Sequence, residues 1–415
     1  MERRAFLTNS AALAGAAALG GDFVGAGVRH EPVAAGPDPR VVPISAAERQ
    51  ARIEKARRLM TEHGIDALVL EGGSSMFYYT GVRWGNSERT FAVVIPARGE
   101  LAWVTPGFEE ARAREMVTGS QDVRAWQEEE SPYRLIAGIL RDRGATGTIG
   151  IEERLRFFIY DGVRQELPQA RFVSATPVTA GCRMFKSPAE IALMQRANGI
   201  TLQAIGSAAA RLKEGMTPKQ VSDHVAAISQ KLGGQSDGAL VIFGKYSAFP
   251  HGTVQPQALR EGDIVLIDGG CSVEGYGSDI TRTTVFGRPT QRMRDVWDAE
   301  QRAQRAAFSA AQVGATCESV DAAARKVVTD AGFGPDYKVP GLPHRTGHGI
   351  GLDGHEWTNF VRGNTTKIEP GMCFSDEPMI TIYGEFGMRH EDCLYITEAG
   401  PKFFTPLSRS IEHPV

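Results

Sequence analysis

The segment DIVLIDGGCSVEGYGSDITRTTVF, residues 263–286, restricts the possible folds more than any other part of the chain. An apolar run leads into Asp268, a glycine-rich turn follows, and a second strand-like run rich in threonine and isoleucine carries Asp279. If the turn centres near Val273 and Glu274, the two aspartates lie opposite each other across a β-hairpin, with Cβ atoms about 5 Å apart. Two carboxylates that close together repel each other, so one must take up a proton unless a cation lies between them.

Ordinary turn aspartates in a solvated hairpin are the alternative interpretation. That interpretation suits Asp279 alone, but it does not suit Asp268, which ends the apolar run VLI. The hairpin therefore predicts a pair of carboxylates that face a cation.

Three further segments supply side chains of the kind that bind metal. His348 lies in TGHGIGLDGHE, Glu377 in CFSDEPMI and Glu391 in MRHEDCLYI. Any one of them alone is more often a surface charge or a satisfied polar group, and it is their order and joint spacing that favour a common site. Two divalent cations would neutralise the four carboxylates, and oxygen-rich ligation with one histidine favours Mn²⁺, Co²⁺ or Fe²⁺ over a thiolate-type zinc site. Such a pair of metals polarises a carbonyl and activates water, and this is the chemistry that an amide hydrolase requires.

A dehydrogenase is a competing hypothesis, because residues 349–354 form a literal GxGxxG. A dinucleotide-binding turn requires an apolar strand before the glycines and a helix after them. Here KVPGLPHRTGH precedes the glycines and DGHEWTNF follows them, so the match is incidental.

The alternation of helical and strand-like segments predicts two domains, which the length of 415 residues also favours. Between residues 46 and about 180 the pattern is typical of a smaller α/β domain. A capping box, SPAE at residues 187–190, opens a new region, and TPKQ at 217–220 caps the next helix in the same way. Residues 215–221 align with residues 314–320, with a longer helix before each match and a shorter one after it. This layout predicts an internal duplication that forms one pseudo-symmetric α/β domain.

Charge and cysteine content exclude several classes of function. The formal net charge is -3 and there is no long basic block, so the chain lacks the electrostatic footprint of a protein that binds nucleic acid or an anionic membrane. Five cysteines without CxxC spacing indicate neither a disulfide framework nor a thiolate zinc site, and we expect them to be small buried residues.

The N-terminal segment MERRAFLTNSAALAGAAALGG places Arg3 and Arg4 ahead of a short apolar run rich in alanine and glycine. The run is too short to span a bilayer, and its layout resembles a twin-arginine export signal rather than a disordered tail. We therefore expect residues 1–36 to be an export signal and spacer, and the mature protein to be periplasmic or secreted. No other segment is apolar enough to enter a membrane.

The motifs at residues 185–400 resemble those of the pita-bread metallopeptidases, the group of prolidases, Xaa-Pro aminopeptidases, methionine aminopeptidases and creatinase. The resemblance lies in LIDGGCSVEGYGSDITRT, PHG at 250–252, GHGIGLDGHE and GMRHEDCLYITEAG. MFYYTGV at 76–82 is similar in outline to the N-terminal domain of the prolidase and creatinase branch. The resemblance implies an α/β (α+β) fold, with a C-terminal pseudo-symmetric pita-bread domain at 185–415 preceded by a smaller creatinase-N-like α/β domain at 44–182.

The same resemblance implies roles for individual residues. The implied metal ligands, of which Asp279 and Glu391 bridge the two ions, are Asp268, Asp279, His348, Glu377 and Glu391. Glu377 is also the implied general base, and His251 and His355 correspond to histidines that contact the substrate amide and the tetrahedral intermediate. His344 and Arg389 correspond to positions that orient ligands and line the pocket.

The resemblance implies a peptidase that uses two divalent ions, Mn²⁺ or Co²⁺ first and Fe²⁺ or Zn²⁺ next, and that forms a homodimer. Its expected substrates are Xaa-Pro dipeptides or short peptides with an N-terminal Xaa-Pro bond. Two departures, HEWTNF in place of a proline after the HE pair and EPMIT with Met379 and Thr381, fall on the expected substrate pocket. They leave an alternative function open, that of a related metal-dependent dipeptidase or amide hydrolase without proline preference. A non-catalytic binding protein on the same scaffold is disfavoured, because no ligand is missing.

Overall fold

In the computed structural model of the chain, residues 42–117 and 122–415 are described. The predicted export signal and spacer at residues 1–36 lie outside this part of the chain. Ser45 begins the first helix, since its Oγ accepts a hydrogen bond of 3.1 Å from the backbone N–H of Glu48.

The first part of the chain folds as alternating helices and strands, as the sequence predicts. The segments DALVLEG, TFAVVIP, LAWVTP and TIGIEE each contain one strand. The elements, besides a 3-10 turn at Gly107–Glu109, are α1 (Ala46–Glu62), β1 (Ala67–Glu71), α2 (Ser74–Thr80), β2 (Ala92–Pro96), β3 (Ala102–Pro106), α3 (Glu110–Met116), β4 (Val123–Trp126), α4 (Pro132–Asp142), β5 (Thr148–Ile151), α5 (Phe157–Glu166), β6 (Arg171–Ser174) and α6 (Thr176–Arg183).

These strands form one six-stranded sheet in the order β4-β3-β2-β1-β5-β6. The sheet is mixed, because β1 pairs antiparallel with β2 and parallel with β5. Every residue of β1, β2 and β3 is buried, which explains why these strands read as continuous apolar runs rather than as alternating ones.

The second part of the chain contains the longer helices and the remaining strands. The predicted capping boxes at Ser187 and Thr217 are both formed. The elements, besides a 3-10 helix at Gly244–Ala248, are α7 (Pro188–Ala209), α8 (Pro218–Lys231), β7 (Ala239–Phe243), β8 (Ile264–Gly269), β9 (Ser272–Val273), β10 (Tyr276–Gly277), β11 (Ile280–Val285), α9 (Gln291–Ala310), α10 (Cys317–Asp330), β12 (Gly347–Gly349), β13 (Glu356–Phe360), β14 (Cys373–Asp376), β15 (Met379–Ile382), β16 (Phe386–Arg389), β17 (Asp392–Thr397) and β18 (Gly400–Phe403).

The predicted duplication is visible in the backbone. The helices α8 and α10 each have 14 residues and each follows a longer helix. Gly215 and Gly314 precede them with φ of 80° and 83°, a left-handed conformation that favours glycine. Their N–H groups donate to Leu259 and Ile368 respectively, in both cases at 2.8 Å. The two halves are therefore repeats of one helix–helix–strand unit, and the fold is the pseudo-symmetric one expected.

Two main sheets line the interior of this part, in the orders β11-β8-β7 and β13-β12-β14-β17-β18. They meet where the backbone of Thr281, in β11, pairs with that of Glu391, just before β17. The N–H groups of these two residues each donate to the other's carbonyl at 3.2 Å. The junction brings the ends of strands from both halves together.

The predicted hairpin is present, but the predicted register is wrong by two residues. Val273 pairs with Tyr276, so the turn consists of Glu274 and Gly275, with φ of 50° and 89°. A turn with two positive φ values is type I′, and a β-branched valine is poorly suited to such a conformation. Asp268 consequently lies opposite Thr281 rather than opposite Asp279. Because side chains alternate with a period of two, Asp279 still belongs to the same face as Asp268.

All five cysteines are free and buried, as predicted from their number and spacing. Among the described residues, no helix combines the length and the apolar character that crossing a bilayer requires.

Candidate metal centre

The five predicted metal ligands all lie at or beside the ends of strands around the junction of the two sheets. Their positions are Asp268 near the end of β8, Asp279 just before β11, His348 within β12, Glu377 directly after β14 and Glu391 between β16 and β17. Each strand thus delivers one side chain, and both halves of the duplication contribute.

The imidazole of His348 is the centre of this group. Its Nε2 atom lies 3.3 Å from Oε1 of Glu377, 3.8 Å from Oδ2 of Asp279 and 3.9 Å from Oε1 of Glu391. One ligand atom from each of Asp279, His348 and Glu391 lies within 4.8 Å of the others, which is the spacing of side chains that share one ion.

The hydrogen bond on the other ring nitrogen fixes the protonation of His348. Nδ1 lies 3.0 Å from the carbonyl oxygen of Gly349, and a carbonyl only accepts, so Nδ1 carries the proton. Burial and the neighbouring His355 lower the pKa of His348 to about 3, so the ring is neutral. The lone pair of Nε2 therefore points at carboxylate oxygens, an arrangement that is unfavourable while those carboxylates are ionised unless a cation lies between them.

The carboxyl groups of the site are mutual neighbours. Burial raises the pKa of Asp279, and the charges of Asp268 and Glu377 raise it further. Burial likewise raises the pKa of Glu391, and the charges of Asp279, Glu377 and Asp268 raise it further, in that order. For Glu377, burial outweighs the attraction of Arg389 and raises the pKa to about 7. Two divalent cations would reduce the repulsion between these crowded carboxylates. The residues therefore fit the metals that the sequence predicts.

Arg389 and two threonines hold these carboxylates in place. Arg389 donates from Nη2 to Asp268, from Nε to Oγ1 of Thr281 at 3.1 Å, and from Nη1 to the carbonyl of Pro250 at 3.1 Å. Thr281 in turn donates to Oε2 of Glu391 at 2.7 Å, and Thr283 donates to the carbonyl of Arg389 at 2.7 Å. Arg389 therefore lies beside the candidate ligands, and its guanidinium group orients Asp268.

The three predicted substrate-side histidines differ in their surroundings. The ring of His355 packs against that of His348, with centroids 4.1 Å apart. Nδ1 of His344 binds the carbonyl of Arg345 at 2.7 Å, whereas its buried Nε2 has no hydrogen-bond partner among the described residues. His251 is exposed, and its charge lowers the pKa of both His344 and His355, after burial and other neighbours. Two of the three rings therefore lie in or against the site, and His251 lies at its edge.

Arg345 also belongs to the site, although no sequence motif indicated it. Burial lowers the pKa of His355, and the charge of Arg345 is the next cause. The same charge also lowers the pKa of His348 and of Glu377, after burial and nearer neighbours. The side chain is half-buried and has no ion pair with any described residue. Its place between His344 and His348 in the sequence was the available signal.

One expectation about the substrate pocket is wrong. Met379 and Thr381 are 0% exposed, and Met379 packs in the hydrophobic core formed with α9 and α10. Both residues lie on β15, where all four side chains are buried, so neither lines an open pocket. The other departure from the family pattern includes Trp357. This residue is half-buried, and the centroid of its ring lies 5.6 Å from the guanidinium of Arg183.

The fold and the site together define a metal-dependent hydrolase built from two related α/β halves. When bound, two divalent ions would lower the pKa of a water molecule and polarise the carbonyl that it attacks. The comparisons with known proteins make the family specific: residues 192–398 match Metallopeptidase family M24, and residues 52–185 match the Creatinase/Prolidase N-terminal domain. The chain belongs to metallopeptidase family M24 and carries the N-terminal domain of its creatinase and prolidase branch.

Relatives of known description are similar along nearly their whole length. An Xaa-Pro dipeptidase of Lactobacillus helveticus is 32% identical over 87% of this chain and 98% of its own length. The probable dipeptidase PepE of Mycobacterium tuberculosis is 37% identical over 84% of this chain and 92% of its own. Among solved structures, dipeptidase PepE of Mycobacterium ulcerans has a TM-score of 0.81 at 33% identity, covering 90% of this chain and 99% of that one. A prolidase of Thermococcus sibiricus has a TM-score of 0.79 at 27% identity, covering 86% and 97%.

Proposed function

We propose that this metallopeptidase is a dinuclear-metal dipeptidase that hydrolyses Xaa-Pro dipeptides. The observation that carries the proposal is the complete ligand set around His348, whose unprotonated Nε2 faces three carboxylates within 3.9 Å. The proline preference is supported by relatives described as Xaa-Pro dipeptidases, which this chain covers almost fully.

A dipeptide has a free carboxylate close to the bond that is cleaved, and Arg345 supports a substrate of that kind. Once divalent ions neutralise the carboxylates of the site, Arg345 is a half-buried cation without an anionic partner among the described residues. Burying a charge is costly unless it is paired, and a substrate carboxylate would pair it. A longer peptide presents an amide at the same place and would leave the charge unpaired. We therefore favour dipeptidase over aminopeptidase activity.

The side chains divide the chemical work in the following way. Glu377 accepts the proton of the attacking water, since its carboxylate oxygen lies 3.3 Å from Nε2 of the metal ligand His348. His355, whose pKa is lowered by burial and by Arg345, is neutral and can donate an N–H to the oxygen on which negative charge develops. His251 contacts the substrate amide, and His344 orients ligands and lines the pocket.

A dipeptidase without proline preference is the second candidate. It is supported by the relatives described only as dipeptidases and by the half-buried Trp357 in place of the residues that usually follow the HE pair. This candidate predicts comparable rates on Ala-Pro and Ala-Ala, so an assay on both dipeptides tests it.

The remaining parts of the proposal concern the metal, the compartment and the assembly. We propose Mn²⁺ or Co²⁺ as the native ions, because carboxylate-rich sites with one imidazole suit these metals. The twin arginines at Arg3 and Arg4 support export through the twin-arginine pathway and a periplasmic or secreted enzyme. A homodimer is proposed from the family resemblance alone.

A panel of substrates with defined metal tests the proposal. Purified protein is loaded with Mn²⁺ or Co²⁺ and assayed on Ala-Pro, Ala-Pro amide, Ala-Pro-Ala and Ala-Ala. The proposal predicts the highest kcat/KM on Ala-Pro. Equal rates on Ala-Ala would remove the proline preference, higher rates on Ala-Pro-Ala would make the enzyme an aminopeptidase, and no cleavage of any peptide would overturn the proposal.

A further inference from the structure

The loop at residues 350–355 connects the metal ligand His348 to His355 and contains glycine at positions 351 and 354. The His355 side chain packs on the ring of His348 but makes no hydrogen bond with any described residue. Its direction over the site is therefore set by the backbone of the loop. Glycine adds backbone freedom to the loop, and the backbone hydrogen bonds to Cys373 and Gly277 are made at Ile350 and Gly351, well before His355.

Asp353, two residues before His355, is held by three side chains from the first part of the chain. Its Oδ1 accepts from Oγ of Ser74 at 2.6 Å and from Nη1 of Arg154 at 2.9 Å, and its Oδ2 accepts from Nη2 of Arg183 at 2.6 Å. Only 14% of the Asp353 side chain is exposed. Charge-assisted hydrogen bonds of this kind are stronger than neutral ones, and here they converge on one carboxylate.

Glu356 closes the loop from the other side of His355. Its Oε1 accepts from the backbone N–H groups of Leu352 and Asp353, at 2.9 Å and 3.2 Å. Arg183 donates to the same oxygen, and Lys186 donates to Oε2 at 3.0 Å. Arg183 is 2% exposed and thus bridges two acids that flank His355. The loop is clamped at both ends by residues that do not touch the metal ligands.

We propose that Asp353 is a positioning residue for catalysis, which fixes His355 over the metal centre by anchoring its loop to Ser74, Arg154 and Arg183. The creatinase-like domain thereby has a role in the reaction and does not act only as a cover or a stabilising unit. The inference rests on the proposed peptidase function. It differs from the roles already described, because Asp353 is hydrogen-bonded to Ser74, Arg154, Arg183 and Glu356 and to none of the five metal ligands.

Kinetics of Asp353→Ala provide the first test. Misplacement of a catalytic group by about 1 Å lowers rates by up to roughly 100-fold, so we expect kcat to fall about 10- to 100-fold. Because the metals and the rest of the pocket are untouched, KM should change less than about threefold. Asp353→Asn keeps an acceptor for Arg183 and should recover part of the rate. Arg154→Ala removes one exposed partner and should lower kcat by a smaller factor than Asp353→Ala.

A double-mutant cycle with His355→Ala separates positioning from a general loss of structure. If Asp353 acts through His355, Asp353→Ala causes no further loss of kcat when His355 is already removed. Equal losses in both backgrounds would overturn the proposal. The matched control is Asp161→Ala, which removes a half-buried aspartate paired with Arg164 on α5 and should leave kcat unchanged.

Hydrogen–deuterium exchange gives a readout that does not depend on activity. In the metal-loaded protein, Asp353→Ala should speed exchange at residues 350–356 and leave the strand β8 unchanged. Unaltered exchange in the loop would overturn the proposal, as would loss of bound metal in the variant. If the wild type cleaves no peptide but the loop responds as expected, the proposed function fails while the anchoring of the loop stands.

Discussion

The unprotonated nitrogen of His348 lies 3.3 Å from a carboxylate oxygen of Glu377, and neither atom has a proton to share when Glu377 is ionised. A lone pair and a carboxylate oxygen at this distance repel unless a cation lies between them. The same nitrogen faces Asp279 and Glu391 at slightly longer distances. The hydrogen bond from Nδ1 to the carbonyl of Gly349 keeps the proton on the far side of the ring. It thereby leaves Nε2 free to bind a metal ion.

Arg389→Lys should weaken metal binding without unfolding the protein. Lysine keeps the charge beside Asp268, but its single nitrogen cannot replace the three separate guanidinium nitrogens that donate to Asp268, Thr281 and Pro250. Loss of residues that orient ligands typically costs 10- to 100-fold in affinity, so we expect a fall of about that size for Mn²⁺ by calorimetry. Arg294→Lys, at an exposed arginine paired with Glu412, is the control and should bind like wild type. Wild-type affinity in Arg389→Lys would contradict this role.

Arg345→Gln should discriminate between substrates that differ only in their terminal carboxylate. We expect KM for Ala-Pro to rise at least about tenfold, because a charge-assisted hydrogen bond contributes about 1.5 to 3 kcal/mol. KM for Ala-Pro amide, which lacks the carboxylate, should hardly change. Steady-state kinetics on the two substrates measure the difference. An equal increase for both would show that Arg345 does not bind the substrate carboxylate.

Glu356→Gln should destabilise the protein in a way that depends on pH. Burial alone would raise the pKa of Glu356, but Lys186 and Arg183 outweigh it and lower the pKa to about 2. A lowered carboxyl pKa contributes stability above the unfolded value of about 4.5, and that contribution is lost as the pH falls from about 4.5 towards 2. At pH 7 the substitution leaves buried cations unpaired and should cost about 3 kcal/mol.

Urea unfolding of metal-free wild type and Glu356→Gln measures this effect. The gap between their free energies of unfolding should be full at pH 7 and narrow as the pH falls below about 4.5. A gap of constant size down to pH 3 would show that the pKa of Glu356 is not lowered.

Two buried threonines offer a matched comparison. Thr381 and Thr283 are both 0% exposed, but Oγ1 of Thr381 has no hydrogen-bond partner among the described residues, whereas Oγ1 of Thr283 binds the backbone of Arg389. Thr381→Val should be neutral or stabilising and leave KM for Ala-Pro unchanged. Thr283→Val should cost about 1 to 3 kcal/mol, because it leaves buried backbone groups unpaired. Thermal unfolding and KM measure both. A large rise in KM for Thr381→Val would show that this residue does line the substrate pocket.

The metal ligands were predictable because strand ends deliver them in a fixed order. Even the two-residue error in the hairpin left Asp268 and Asp279 on one face, since the pleat repeats every two residues. The burial of Met379 and Thr381 was not predictable, because it depends on how β15 packs against distant helices. The anchoring of Asp353 by Ser74 and Arg183 joins residues 279 and 170 positions apart, and no local pattern reports such a contact.

Metal titration of the metal-free protein, followed by hydrolysis of Ala-Pro, tests the dinuclear peptidase most directly. Wild type should bind two equivalents of Mn²⁺ or Co²⁺ and gain activity as the second equivalent binds. His348→Ala should bind fewer ions and lose activity, whereas His413→Ala, at an exposed histidine, should match wild type. Full metal binding and activity in His348→Ala, or two bound ions in a wild type that cleaves no peptide, would contradict the proposed function.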